Sequence, residues 1–223
     1  MSIKHKEKDF IPLFPLPLVI GPGESVSLHI FEPRYKQMMK DIRAAVAPKH
    51  VLPFGLSLYR EKPGKIADIG CTIRIDQVVK SHEDGKMDII GHGDLRYQME
   101  EVDRELPYAR ARVSYIVDSE PETDLAMLAE AMRAVERLRK EVMDHKELPE
   151  HRKDYPASFQ LAHDAGLDNE AKYQLLGLRS EKERLRLVRD QSRRALQTLK
   201  KARAIRDRVQ RNGHFEDFPS VDF

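Results

Sequence analysis

Between residues 10 and 118, apolar and polar positions alternate in short runs, the two-residue period of a half-buried strand. Strands are predicted over 25–30, 52–59, 71–79, 95–102 and 109–117. Ile73 and Ile75 share one face of the third run, opposite Arg74 and Asp76, and Ala111, Val113 and Tyr115 share one face of the last. Glu83-Asp84-Gly85 supplies a turn after which residues 86–90 return as a further strand, so a hairpin is predicted there. Glycines at 70, 85, 91 and 93 punctuate the region. One helix interrupts it, over 32–45, with Tyr35, Met38, Met39 and Ile42 as its apolar stripe. Many short strands and one helix predict a β-barrel or two packed sheets.

From residue 119 the period changes to three and four. Leu125, Leu128, Met132, Val135, Leu138 and Val142 predict an amphipathic helix over 124–143, with Thr123 as its N-cap. Residues 144–154 read as a polar loop. Pro156 opens a short helix that ends at Gly166, and Asp168 caps another reaching about residue 178. Ser180 and Glu183 have the spacing of a capping box. They open the longest helix, whose stripe runs Leu185, Val188, Ser192, Ala195, Leu199, Ala202, Ile205 and Val209 until Gly213 stops it. The expected architecture is α+β: a β-domain over 1–118, a helical bundle over 119–213 and an acidic, aromatic tail over 214–223.

The 223 residues, 40% hydrophobic and 34% charged, exclude a fully disordered chain and argue against a membrane protein. Lys4, Lys6 and Lys8 before an apolar run imitate a signal peptide, but Glu7, Asp9 and the prolines at 12, 15 and 17 oppose that reading. The one cysteine, Cys71, excludes an internal disulfide and a thiolate zinc cluster, and a cytoplasmic setting is expected. The net charge of +2 conceals segregation: residues 180–212 hold 12 Lys and Arg against four Asp and Glu.

Signatures of catalysis are missing. Pro63-Gly64-Lys65-Ile66 lacks the first glycine and the hydroxyl of a phosphate loop, and Gly91-His92-Gly93 is too short for a dinucleotide fingerprint, so both read as turns. The sequence has no H-E-x-x-H and no G-x-S-x-G, and His145 and His151 do not fit a metal site. His29 reads as a hydrogen-bonded structural histidine and Cys71 as a buried, inert thiol. Neither a cofactor nor a metal is expected.

Phe14-Pro15-Leu16-Pro17-Leu18-Val19, then Pro22-Gly23, then Leu28-His29-Ile30-Phe31-Glu32-Pro33-Arg34-Tyr35 resembles the opening of the Lon protease N-terminal domain. Phe54-Gly55, Ile69-Gly70-Cys71, Asp84-Gly85, Gly91, Gly93 with Arg96-Tyr97, and Pro107-Tyr108 follow in the family's order, and the likeness extends more loosely over Leu167 to Leu176 and Glu183-Arg184-Leu185. The resemblance implies a PUA-like β-barrel with one inserted helix, followed by a helical bundle ending in a long helix. It also implies recognition of protein substrates, a role for which the same domain serves in stand-alone proteins and in cereblon-type ubiquitin-ligase receptors. The ATPase module and the serine-lysine protease of Lon are not found in this sequence, so a non-catalytic protein is expected. The motif residues also have a plain physical reading as a corner that sets the fold. Pro33 suits a first helical turn, Glu32 favours the positive helix end, Phe31 staples onto Tyr35 or Met38, and Arg34 bridges helix and barrel.

Two functions follow as expectations. One is recognition of an unfolded or tagged polypeptide, alone or as an adaptor for a separate protease. The other is RNA binding by the basic helix, through Arg189, Arg193, Lys200, Lys201, Arg203 and Arg206. A homodimer through the long helix is a further expectation.

Overall fold

Where the predicted alternation is cleanest it becomes strand without change. In β2 (Ser25–Ile30), Val26, Leu28 and Ile30 are buried while Ser25, Ser27 and His29 are exposed. The computed structural model describes residues 10–44, 53–142 and 154–212. The remaining strands are β1 (Phe10–Leu16), β3 (Phe54–Arg60), β4 (Lys65–Ser81), β5 (Met87–Asp103) and β6 (Arg110–Tyr115). The helices are α1 (Pro33–Ala44), α2 (Leu125–Val142), α3 (Ala157–Asp164), α4 (Asn169–Gly177) and α5 (Glu181–Asn212). The fold is α+β, as expected. The polar loop predicted over 144–154, the His145 and His151 pair, the stop at Gly213 and the tail lie outside the described residues, save Asp154 at the loop's end.

The six strands form one mixed sheet in the order β2-β5-β4-β3-β1-β6. β1 runs parallel to β3, with Leu13 opposite Gly55, and antiparallel to β6, with Phe10 opposite Arg112. β6 also pairs with the far half of β5, Tyr97 opposite Tyr115. Hydrogen bonding therefore returns on itself through β5, β4, β3, β1 and β6, and β2 is added outside the near half of β5.

Two strand predictions change. Residues 86–90 and 95–102 are not separate strands: β5 is continuous for 17 residues, straight through Gly91 and Gly93. The glycines do not break it because they serve close approach instead. A Cβ on Gly91 would meet the Arg74 carbonyl oxygen at 2.5 Å, and one on Gly93 would strike the Gly21 carbonyl. β1 escapes the alternation pattern because Pro12 and Pro15 lie inside it.

One apolar core lies between the sheet and the α1 stripe, where Tyr35, Met38, Met39 and Ile42 are all buried as predicted. A second joins Val19, Leu58 and Ala67 of the sheet region to Ala131, Val135, Phe159, Leu161, Leu185 and Val188 of the helices. The helices are thus docked on the sheet. α2 is capped by Asp124, whose carboxylate accepts from Met127 N at 3.0 Å, and not by Thr123 as predicted. Asp168 caps α4 as expected, accepting from Ala171 N at 2.8 Å.

At ~1.5 Å per residue the 32 residues of α5 extend about 48 Å. Its stripe is buried from Leu185 to Ser192 and half-buried at Ala195 and Leu199, and every described side chain from Lys200 onward is exposed. Ile205 and Val209 keep 65% and 64% of their surface in solvent. Truncating either to alanine is accordingly expected to move the stability measured by urea unfolding by less than about 0.5 kcal/mol. Val188→Ala, by contrast, should cost about 2 kcal/mol.

Candidate functional site

The predicted corner is built from its own backbone. Pro33 is the first residue of α1, and the Glu32 carbonyl accepts from the N–H groups of Tyr35 and Lys36 at 3.0 and 2.9 Å. The Glu32 carboxylate does not cap the helix; it accepts from Arg34 Nε at 2.8 Å. Arg34 does not bridge to the sheet as predicted, since its guanidinium lies over the Tyr35 ring, 4.6 Å from the centroid. The Tyr35 ring packs against Phe14, with ring centroids 4.2 Å apart. Phe31 is no staple either: it is 55% exposed and stacks on His29, whose Nδ1 is 2.6 Å from an Asp88 carboxylate oxygen.

Arg34 and Tyr35 form one wall of a groove of about 740 Å³ at the open end of the sheet. The turn between β3 and β4 (Gly64, Lys65) and the segment after β5 (Arg104 to Ala109) complete its rim. Met99, Val102, Ile66 and Leu106 give it an apolar lining, and Tyr59 and Tyr108 add aromatic surface. Tyr108 Oη donates to Asp41 at 2.8 Å, and burial together with that bond pushes the phenol up to about 12, so it stays protonated. A volume of this size, with apolar and polar surface in about equal measure, has room for side chains of a ligand.

Other candidate residues do structural work. Gly55 and Gly70 clear space for Tyr97, whose hydroxyl shares a 2.7 Å hydrogen bond with Ser57. The basic helix is partly committed to carboxylates of its own chain. Arg189 bonds Glu130 and Asp190, Arg193 lies 3.6 Å from Glu130, and Arg203 pairs with Glu141. Lys200, Lys201 and Arg206 are exposed.

A network unsuspected from the sequence ties the sheet to the helices. Asp118 accepts two hydrogen bonds from Arg184, at 2.8 and 2.6 Å, and a third from Arg96. Arg184 also reaches Ser158 Oγ at 3.0 Å and Glu181 at 2.7 Å, and Glu181 accepts in turn from the N–H and hydroxyl of Ser158. Both guanidiniums lie over the Phe159 ring, 5.3 and 4.9 Å from its centroid. Arg96, Ser158, Glu181 and Arg184 are buried, Asp118 is half-buried, and all have partners, which suits a fastening and not a site.

Burial raises the pKa of Cys71, so its thiol stays protonated. Among the described residues, no group of three His, Cys, Asp or Glu side chains is placed to hold a metal. No described helix is long and apolar enough to cross a membrane. The groove as a site escaped sequence reading because four separated segments contribute to it, with no shared local motif; Lys65 read only as part of a turn.

A sheet whose pairing closes on itself, a helical cap docked on its flank and a groove of mixed lining at one end make up the architecture. The chain belongs to the family of the ATP-dependent protease La (LON) substrate-binding domain, whose sequence profile matches residues 11–191. Two solved structures share the fold. The Lon N-terminal domain protein from Xanthomonas campestris has a TM-score of 0.61 at 24% identity, the match covering 80% of this chain and 95% of that one. The N-terminal domain of Mycobacterium avium complex Lon protease has a TM-score of 0.59 at 19% identity, covering 82% and 98%. No curated protein matches the chain in sequence.

Proposed function

We propose that this chain is a non-catalytic recognition module that holds unfolded or tagged polypeptide in the mouth groove, and that its closed circuit of strands is the family's PUA-like barrel. The observation that carries the reading is the groove itself. Its apolar lining includes Leu106 and Tyr59, 36% and 37% exposed, at the open end of a chain from a substrate-binding family. An extended segment presents side chains every ~7 Å on one face, which suits a groove that takes side chains and leaves the backbone at the rim.

Fluorescence anisotropy of the full chain with a labelled, chemically unfolded protein tests this. Binding at micromolar concentration is expected, with the same protein in its folded form not bound. Leu106→Asp should weaken binding at least about tenfold, because a charge would be buried under the ligand. Absence of binding at micromolar levels, or binding indifferent to Leu106→Asp, would overturn the reading.

A further inference from the structure

The groove is lined by apolar and polar surface in about equal measure, and its charge is one-sided. Arg34, Lys65 and Arg104 lie on its rim, and no carboxylate is among the residues lining it. Arg34 is already matched by Glu32. Lys65 and Arg104 have no ion-pair partner among the described residues, and both are exposed. They sit at the start of β4 and just after β5, so the two cations approach the groove from different strands. Of the carboxylates close to them, Asp103 accepts from Arg110, and Asp68, which feels the charge of Lys65, accepts from Gln98 and Tyr173, while Glu61 and Glu105 are exposed and outside the lining.

From this we infer that the groove selects acidic, apolar stretches of polypeptide, in which aromatic or aliphatic side chains alternate with Asp or Glu. The inference rests on the reading of the groove as a polypeptide site and names its substrate class. In an extended segment successive side chains point to opposite faces, so an alternating sequence separates two chemistries by geometry. The apolar set goes down onto Met99, Val102 and Leu106, while the carboxylates stay at the wetter rim beside Lys65 and Arg104. Each rim ion pair is partly hydrated and individually weak, so the preference is a moderate one that salt erodes. A basic segment meets rim cations with no carboxylate in the lining and is disfavoured, which is how specificity arises from unfavourable pairing as much as from favourable.

Three labelled ten-residue peptides that share alternating Phe and Val and differ only in the intervening residue, Glu, Gln or Lys, decide the matter by anisotropy with the full chain. At low salt the Glu peptide should bind about tenfold tighter than the Gln peptide, and the Lys peptide weaker still. The preference should shrink toward unity by about 0.5 M NaCl, where screening is effective within a few ångströms. The double variant Lys65→Gln, Arg104→Gln should remove the difference between Glu and Gln peptides and leave Gln binding intact; an unchanged urea midpoint confirms its fold. Equal binding of the Glu and Gln peptides would overturn the charge preference and leave the polypeptide groove standing. Failure of all three to bind would overturn the groove reading itself. Displacement of the Glu peptide by a uridine oligomer at equal potency would show a site for polyanions in general, and would also overturn the inference.

Discussion

Asp118→Ala is expected to destabilise the protein by about 3–5 kcal/mol, the cost of removing one partner from a buried ion pair. Asp118 is the only carboxylate that touches both Arg96 and Arg184 among the described residues, and the side chains of those arginines are 5% and 0% exposed. Truncation leaves two guanidiniums over Phe159, with Glu181, Ser158 and backbone carbonyls to answer them. Urea unfolding measures the loss. The pH dependence gives it a signature. Burial opposes the charged form of Asp118, but Arg184 and Arg96 overcome that and hold its pKa below the ordinary carboxylate value. A group depressed in the folded state contributes stability above its unfolded pKa, about 4, and loses it as the pH falls through the folded value. The gap between wild type and Asp118→Ala should therefore narrow on acidification below about pH 4. A gap that stays constant down to pH 3 would mean that the charge of Asp118 is not what holds the joint.

The second large effect falls at two glycines. A Cβ on Gly55 would lie 2.6 Å from the Tyr97 hydroxyl and 2.9 Å from Ile11 Cδ1, both ends of side chains. A Cβ on Gly70 would also meet the Leu56 carbonyl oxygen at 2.5 Å, and that oxygen belongs to the ladder between β3 and β4. Gly55→Ala should cost about 1–3 kcal/mol, and Gly70→Ala about 3 kcal/mol or more. Tyr97→Phe separates the two. It removes the obstructing oxygen, at its own cost of about 1–3 kcal/mol for the Ser57 hydroxyl left without its partner. Combined with Gly55→Ala the losses should fall short of their sum by more than about 0.5 kcal/mol. With Gly70→Ala most of the loss should persist, since the Tyr97 ring carbon and the Leu56 carbonyl oxygen, both 2.5 Å from the added Cβ, remain. Full rescue of Gly70→Ala would show that backbone approach is not the constraint there.

Much of this architecture could be read before any coordinate. The alternation of β2 and the four-residue stripe of α1 survive intact because each answers to one neighbour, a single buried face. The caps at Asp168 and Ser180 are short-range chemistry and were legible for that reason. Gly91 and Gly93 misled because glycine in a sequence marks either a turn or a crowded strand, and only the neighbouring chain decides which. β1 was hidden by its prolines. Of the groove, Pro15, Arg34, Tyr35, Pro107 and Tyr108 stood out as motif residues and Gly64 to Ile66 as a turn, none of them as parts of one site. Lys65, Met99, Arg104 and Leu106 converge only through the pairing of strands far apart in the chain. Asp118 gave no signal either, because its partners lie 22 and 66 residues away.

The pairing of β1 has a consequence for the order of assembly. Of the sheet's six strands, β1 is made before the others and sealed last: Leu13 finds Gly55 early, but Phe10 must wait for Arg112. Until then the other edge of β1 stays open, and a contact spanning about 100 residues belongs to the slow part of folding. Completion of the circuit does not end the wait, because Asp118 receives Arg184 only after another 66 residues have been made. Until α2 to α5 have been made, Val19, Leu58 and Ala67, the sheet's share of the second core, lack the helices that cover them. The nascent chain thus carries a finished sheet with an uncovered flank, and it is at this stage, more than in the completed protein, that it depends on shelter from its neighbours.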